Sequence, residues 1–107
     1  MKSNPTLFVV LLRYLVPLDT ILAIRPAHVD YLKQHYDNGT FLVSGPQVPR
    51  AGGLILARAT SRSVLMEILE QDPFYVQKAI EYHVYEFEVN MFTPGLESVF
   101  KADAVHQ

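Results

Sequence analysis

Leu7-Phe8-Val9-Val10-Leu11-Leu12-Arg13-Tyr14 is the stretch that decides the fold. In an extended strand successive side chains alternate, so Leu7, Val9 and Leu11 fall on one face and Phe8, Val10 and Leu12 on the other. Both faces are apolar, and a strand of that kind is buried on both sides. The chain has 107 residues and no linker, repeat or low-complexity segment, which predicts one domain with its core over residues 6–92 and a polar tail over 93–107. The helices of so short a chain can cover one face of a sheet. The other face then calls for a second copy, which predicts a homodimer joined through the open sheet face.

Outward from that strand, residues 17–24 read as a connector. Pro26 reads as the first residue of a helix, where its missing N–H costs nothing. The helix runs to about Asp37, with Val29, Leu32 and Tyr36 as its buried stripe. Asn38-Gly39 stops it, Gly39 suiting the left-handed position. Residues 40–44 form a second strand, closed by Gly45-Pro46. Residues 47–52 form a loop, and residues 53–59 form a third strand that is again apolar on both faces.

Ser61 caps a second helix whose Val64, Leu65, Ile68 and Leu69 share one stripe. Asp72-Pro73 ends it and starts a further short turn, with Asp72 as the cap. Residues 81–92 are the last strand, with His83, Tyr85, Phe87 and Val89 facing one way and Glu86 and Glu88 the other. In the tail, Leu96, Val99 and Phe100 can dock on a partner, and His106 is expected to be exposed. The order strand, helix, strand, strand, helix, strand is that of an α+β, ferredoxin-like βαββαβ sandwich. Its four antiparallel strands carry both helices on one face.

Composition narrows the function. The net charge is −2 with no run of Lys or Arg, which argues against nucleic acid and anionic membrane surfaces as partners. The absence of cysteine excludes disulfides and thiolate metal sites and suits the cytoplasm. The apolar stretch near the N-terminus is broken by Arg13 and Pro17, short of the roughly 20 residues a membrane span needs, and it lacks a signal-peptide pattern. Asn38-Gly39-Thr40 reads as a turn rather than a glycosylation site. No Gly-rich phosphate loop is present and no redox cofactor is implied. A small-molecule ligand at a site around His28 is the expected partner.

The topology gathers residues that lie far apart in sequence. Arg13, Arg25, His28, Ser44-Gly45, Asp72 and His83 are expected at one rim of the sheet. A histidine in a helix's first turn is held toward neutral by the macrodipole, while a nearby carboxylate such as Asp72 pulls the other way and fixes the tautomer. Such a histidine can act as a general base, an effect worth about 10²–10⁴-fold in rate. The plainer readings are a histidine bonded to a backbone carbonyl and an aspartate serving only as a cap. Arg25 and Arg13 can hold a substrate carboxylate through parallel hydrogen bonds, or form surface ion pairs.

Ser44 can donate to a ligand and Gly45 lets a backbone come close, although a strand-ending turn explains both. Phe74 and Tyr75 can line a pocket for a flat apolar substrate, or belong to the core. His35 lies about 10 Å along the helix from His28, at about 1.5 Å per residue, which is too far to share a metal ion. His83 could join His28 and Asp72 around a metal if the rim closed, but no metal is expected.

Taken in order, Arg25-Pro26-Ala27-His28, Gly39, Ser44-Gly45-Pro46, Gly53, Ala59-Thr60-Ser61 and Asp72-Pro73-Phe74 give the chain a resemblance to the YCII-related (YciI-like) family. The resemblance spans roughly residues 7–92. It implies a ferredoxin-like fold, a dimer of the α+β barrel type whose sheets pack face to face, and a His–Asp active pair that falls on His28 and Asp72. Residues 77–83 depart from the family's glycine-containing turn, being richer in aromatic and charged residues, and the tail is longer. Related ferredoxin-like dimers act on small cyclic or aromatic-derived compounds as lyases, isomerases or dehydrochlorinases. The resemblance therefore implies an enzyme of that kind, working by proton transfer between His28, Asp72 and a small organic molecule. The alternatives are a non-catalytic binding or accessory module and a purely structural protein.

Overall fold

A computed structural model describes residues 5–100, apart from the side chain of Phe100. The chain runs β1 (Thr6–Tyr14), α1 (Leu18–Asp37), β2 (Phe41–Pro46), β3 (Gly52–Ala57), α2 (Arg62–Leu69), α3 (Pro73–Val76), β4 (Ile80–Glu88) and α4 (Glu97–Phe100). The strands form one antiparallel sheet in the order β2-β3-β1-β4, which is the ferredoxin-like arrangement. The doubly apolar β1 is a central strand. It places Val10 opposite Ile55 of β3 and Val84 of β4.

Alternation sorts the sheet into two faces. Phe8, Val10, Leu12, Ile55, Ala57 and Ile80 pack against Ile21, Ile24 and Tyr31 of α1 and against Leu65 and Leu69 of α2. Both helices therefore lie on one face. Burying each of these large side chains is worth about 1.5–3 kcal/mol, so this layer holds the fold together. Gly52 is needed where β3 meets β1, because an added Cβ would stand 1.8 Å from the Leu12 carbonyl oxygen. The opposite face carries Leu7, Val9, Leu11, Val43, Leu54, Leu56, Tyr85 and Phe87, several of them open to water. Val43 is 58% exposed and Tyr85 59%.

Four details differ from the sequence reading. Helix α1 starts at Leu18 and carries Pro26 in its interior. Ile21 and Ile24 bury the earlier turns, and Leu22 and Pro26 both lie on the exposed side. On that side water can replace the donor that the proline denies to the Leu22 carbonyl. The buried stripe is Ile21, Ile24, His28, Tyr31 and His35, and Tyr36 is exposed.

Strand β2 continues through Gly45 and Pro46, which pair with Leu54 and Gly53. An edge strand tolerates the proline. Strand β4 runs Ile80–Glu88 and stops short of residue 92. Other local readings match: Gly39 has φ of 82°, and the Ser61 hydroxyl accepts the Val64 N–H at 3.2 Å, although Val64 itself is exposed. No helix among the described residues is long and apolar enough to cross a membrane. His106 lies outside the described residues.

Candidate active site

Asp72 is fully buried, and its carboxylate is the centre of the site. As the cap of α3 it accepts the Phe74 N–H on Oδ1 at 2.9 Å. The same oxygen lies 2.8 Å from His28 Nδ1, and Oδ2 accepts the Tyr82 hydroxyl at 2.6 Å. A carboxylate removed from water needs donors of this kind to stay charged. The Tyr82 hydroxyl is pushed far above its ordinary pKa, first by burial and then by the charge and hydrogen bond of Asp72, so it remains a donor. Tyr31 is raised too, by burial and by Asp72, and its hydroxyl donates to the Ile68 carbonyl at 2.8 Å.

His28 stands in the middle of α1, on the buried stripe, and not in a first turn. The macrodipole acts within a helix's terminal turns and does not reach it, so Asp72 is the group that orients it. Its ring also stacks on Phe74, with centroids 3.9 Å apart and planes 15° from parallel. A carboxylate on Nδ1 selects the Nδ1–H tautomer and leaves the lone pair on Nε2. Among the described residues Nε2 has no hydrogen-bond partner.

His28 lines a cavity of about 190 Å³ between α1 and the sheet. Leu12, Gly53 and Ile55 of the sheet form its floor, and Arg25, Leu32 and Phe74 contribute to its walls. Ser44 and Gly45 line it as well. The Ser44 hydroxyl is already hydrogen-bonded to the Tyr36 hydroxyl. A Cβ at Gly45 would meet nothing within 4 Å, so crowding does not require glycine there.

The expected rim therefore gathers in part. Arg25, His28, Ser44, Gly45 and Phe74 surround one cavity, with Asp72 behind His28. Arg13 and His83 alternate onto the opposite sheet face. Arg13 stands in register with Glu81, and His83 Nε2 lies 2.7 Å from the Glu81 carboxylate. Neither reaches the cavity, and His83 cannot join His28 around a metal. Among the described residues there is no group of three His, Cys, Asp or Glu arranged to hold one.

Two contributors escaped the sequence reading. Tyr82 was legible in principle, because strand alternation sets it opposite Leu12 on the helix face. Arg50 lines the cavity from the β2–β3 loop, whose course no periodicity predicts. His35 is buried between Tyr31 and Phe41, with centroids 4.9 and 5.1 Å away. Its Nδ1 lies 3.2 Å from the Asn38 amide nitrogen, its Nε2 is without a partner among the described residues, and burial lowers its pKa.

Curated proteins give no match. Among solved structures, the 5-chloro-2-hydroxyhydroquinone dehydrochlorinase of Burkholderia phenoliruptrix, in complex with 2,5-dihydroxybenzoquinone, superimposes with a TM-score of 0.66. It is 21% identical, and the match covers 78% of this chain and 95% of that one, a likeness of fold. The YCII-related domain matches residues 7–88, a span that includes all four strands but for Thr6 and both members of the His28–Asp72 pair, and the chain belongs to that family.

Proposed function

We propose that this protein is an enzyme that moves a proton on a small, ring-derived organic molecule. The observation that carries the reading is His28, which lines the cavity while a fully buried Asp72 holds its Nδ1 at 2.8 Å. His28 Nε2 takes a proton from a substrate carbon, and the C–H electron pair moves into the conjugated system. Asp72 stabilises the imidazolium that forms, and Tyr82 holds the carboxylate in place. Return of the proton to another carbon gives an isomerase. Departure of a leaving group such as chloride with its electron pair gives a lyase or dehydrochlorinase. The similar fold of a dehydrochlorinase with a bound quinone supports this choice of chemistry.

Two measurements test the reading together. An NMR titration follows the His28 ring in the wild type and in Asp72→Asn, and chloride release from 5-chloro-2-hydroxyhydroquinone is assayed in the wild type and in His28→Gln. His28→Gln is expected to lower turnover by about 10²–10⁴-fold. If Asp72→Asn leaves the His28 tautomer and titration unchanged, there is no working pair. Tight ligand binding without turnover, insensitive to His28→Gln, would make the protein a binding module instead.

The same reading includes a homodimer through the open sheet face, supported by the exposure of Val43, Leu54, Tyr85 and Phe87 on one surface. Four large apolar side chains exposed on one sheet face are the mark of an interaction surface. Sedimentation should give a dimer at micromolar concentration, and Tyr85→Asp should shift it toward monomer. A monomeric wild type would remove this part of the proposal. The assignment to the cytoplasm is supported by the lack of cysteine.

A further inference from the structure

The cavity beside His28 carries charge of one sign. Arg25 from α1 and Arg50 from the β2–β3 loop both line it, and no aspartate or glutamate does. Neither guanidinium has an ion pair or hydrogen bond among the described residues. The chain as a whole has a formal net charge of −2, so two unpaired cations at one opening run against its overall balance. The rest of the lining is largely apolar, with Leu12, Leu32 and Ile55 on its walls and floor.

Size limits what can enter. A cavity of about 150 Å³ accommodates benzene. At about 190 Å³, this one has room for a single six-membered ring and one or two substituents. Gly53 adds no side chain to the floor, and a Cβ there would meet the Gly45 carbonyl oxygen at 3.2 Å, a tight contact.

We infer that the cavity selects a small planar organic anion, a ring-sized carboxylate or enolate, whose charged end is held by Arg25 and Arg50. The inference rests on the cavity being the substrate site. Guanidinium groups match such oxygens with two parallel hydrogen bonds, and the apolar floor takes the ring. The arrangement also serves the proton transfer. Negative charge that develops on an oxygen as His28 removes a proton is met by fixed positive charge in the same cavity.

Benzoate and benzamide test this, since they share shape and differ in charge. Calorimetry at millimolar ligand should show benzoate binding to the wild type at least about tenfold more tightly than benzamide. Arg25→Gln and Arg50→Gln should each weaken benzoate by about tenfold or more and leave benzamide unchanged. Both arginines are exposed, so the variants should keep the wild-type melting temperature. Equal binding of the two ligands, no benzoate binding, or benzoate affinity indifferent to both substitutions would overturn the inference. His28→Gln should retain benzoate. Loss of anion preference with an intact His28–Asp72 titration sinks the anion inference alone, and the reverse pattern sinks the proton-transfer reading alone.

Discussion

Replacing His35 by phenylalanine should stabilise the protein, and more so as the pH falls. His35 is buried and its ring hydrogen-bonds through Nδ1 to Asn38, while Nε2 has no partner among the described residues. With the Asn38 amide donating to Nδ1, the ring's proton sits on Nε2, a buried donor with nothing to bond. Such a group costs about 1–3 kcal/mol. Phenylalanine removes the donor and keeps an aromatic ring against Tyr31 and Phe41.

The lost contact to Asn38 is replaceable by water, because Asn38 is exposed and its Oδ1 still accepts the Thr40 N–H at 3.0 Å. The expected gain is about 1–2 kcal/mol at neutral pH, a rise in melting temperature of roughly 5–10 °C for a domain this size. The pH dependence follows from burial, which lowers the His35 pKa in the folded state. Above the ordinary value of about 6.5 both states are neutral at this group. Below it the unfolded chain takes up a proton that the folded chain refuses. Stability is therefore lost as pH falls, at up to about 1.4 kcal/mol per pH unit from this one histidine. Urea denaturation followed by circular dichroism from roughly pH 5 to 8 should show a shallower acid limb in the variant. A variant less stable than wild type at every pH, or one with the wild-type acid slope, would refute the reasoning. His35→Leu, which adds no ring volume, separates that outcome from simple overpacking.

Two other perturbations read different parts of the structure. Tyr31 and Tyr82 are raised well above their ordinary range, so in an absorbance titration both should stay silent past about pH 10, the ordinary tyrosine value. Above that pH the unfolded chain loses protons that the folded chain keeps, so stability should fall by about 1.4 kcal/mol per pH unit per buried tyrosine; six tyrosines titrating alike would contradict the burial. Gly52→Ala should abolish folding or cost more than about 4 kcal/mol, since the new Cβ would lie 1.8 Å from the Leu12 carbonyl oxygen, whereas Gly45→Ala should be nearly neutral; equal melting temperatures for the two variants would refute the register of β1 on β3.

The order of elements could be read from the sequence because β1 is apolar on both faces, as a central strand requires, and because Gly39, Ser61 and Asp72 punctuate the helices as their chemistry requires. The phase of α1 was harder to read. A search for aliphatic residues finds Val29 and Leu32. The true stripe runs at three- and four-residue steps from Ile21 through Ile24, His28, Tyr31 and His35, and three of those five are polar or partly so. Pro26 strengthened the error, because proline favours a helix start and only tertiary burial of the earlier turns overrides that preference. Extending the spacing of Ile21 and Ile24 across the proline would have recovered the phase. Strand alternation, applied to Arg13 and His83, would likewise have kept both out of the rim.

The sequence left Asp72 with two competing explanations, a helix cap or a partner for His28. The geometry makes them one. An ionised carboxylate offers about four acceptor sites, and here three donors use them: the Phe74 N–H, the His28 ring and the Tyr82 hydroxyl. The consequence is that α3 cannot form in its observed place without presenting a carboxylate to His28, and His28 cannot be oriented without the turn that α3 begins. Phe74 completes the link, because the same turn that is capped also supplies the ring on which the imidazole stacks. Substitutions at residue 72 therefore mix stability with chemistry, and activity lost there is weak evidence for catalysis. Tyr82→Phe is cleaner: it removes one hydrogen bond to the carboxylate, worth about 1.5–3 kcal/mol when the acceptor is charged, and leaves the cap and the His28 contact in place. Under the proton-transfer reading Tyr82→Phe should shift the pH profile of turnover, because the freed oxygen of Asp72 changes how strongly the imidazolium is held. A purely structural Tyr82 would lower the melting temperature and leave that profile where it was.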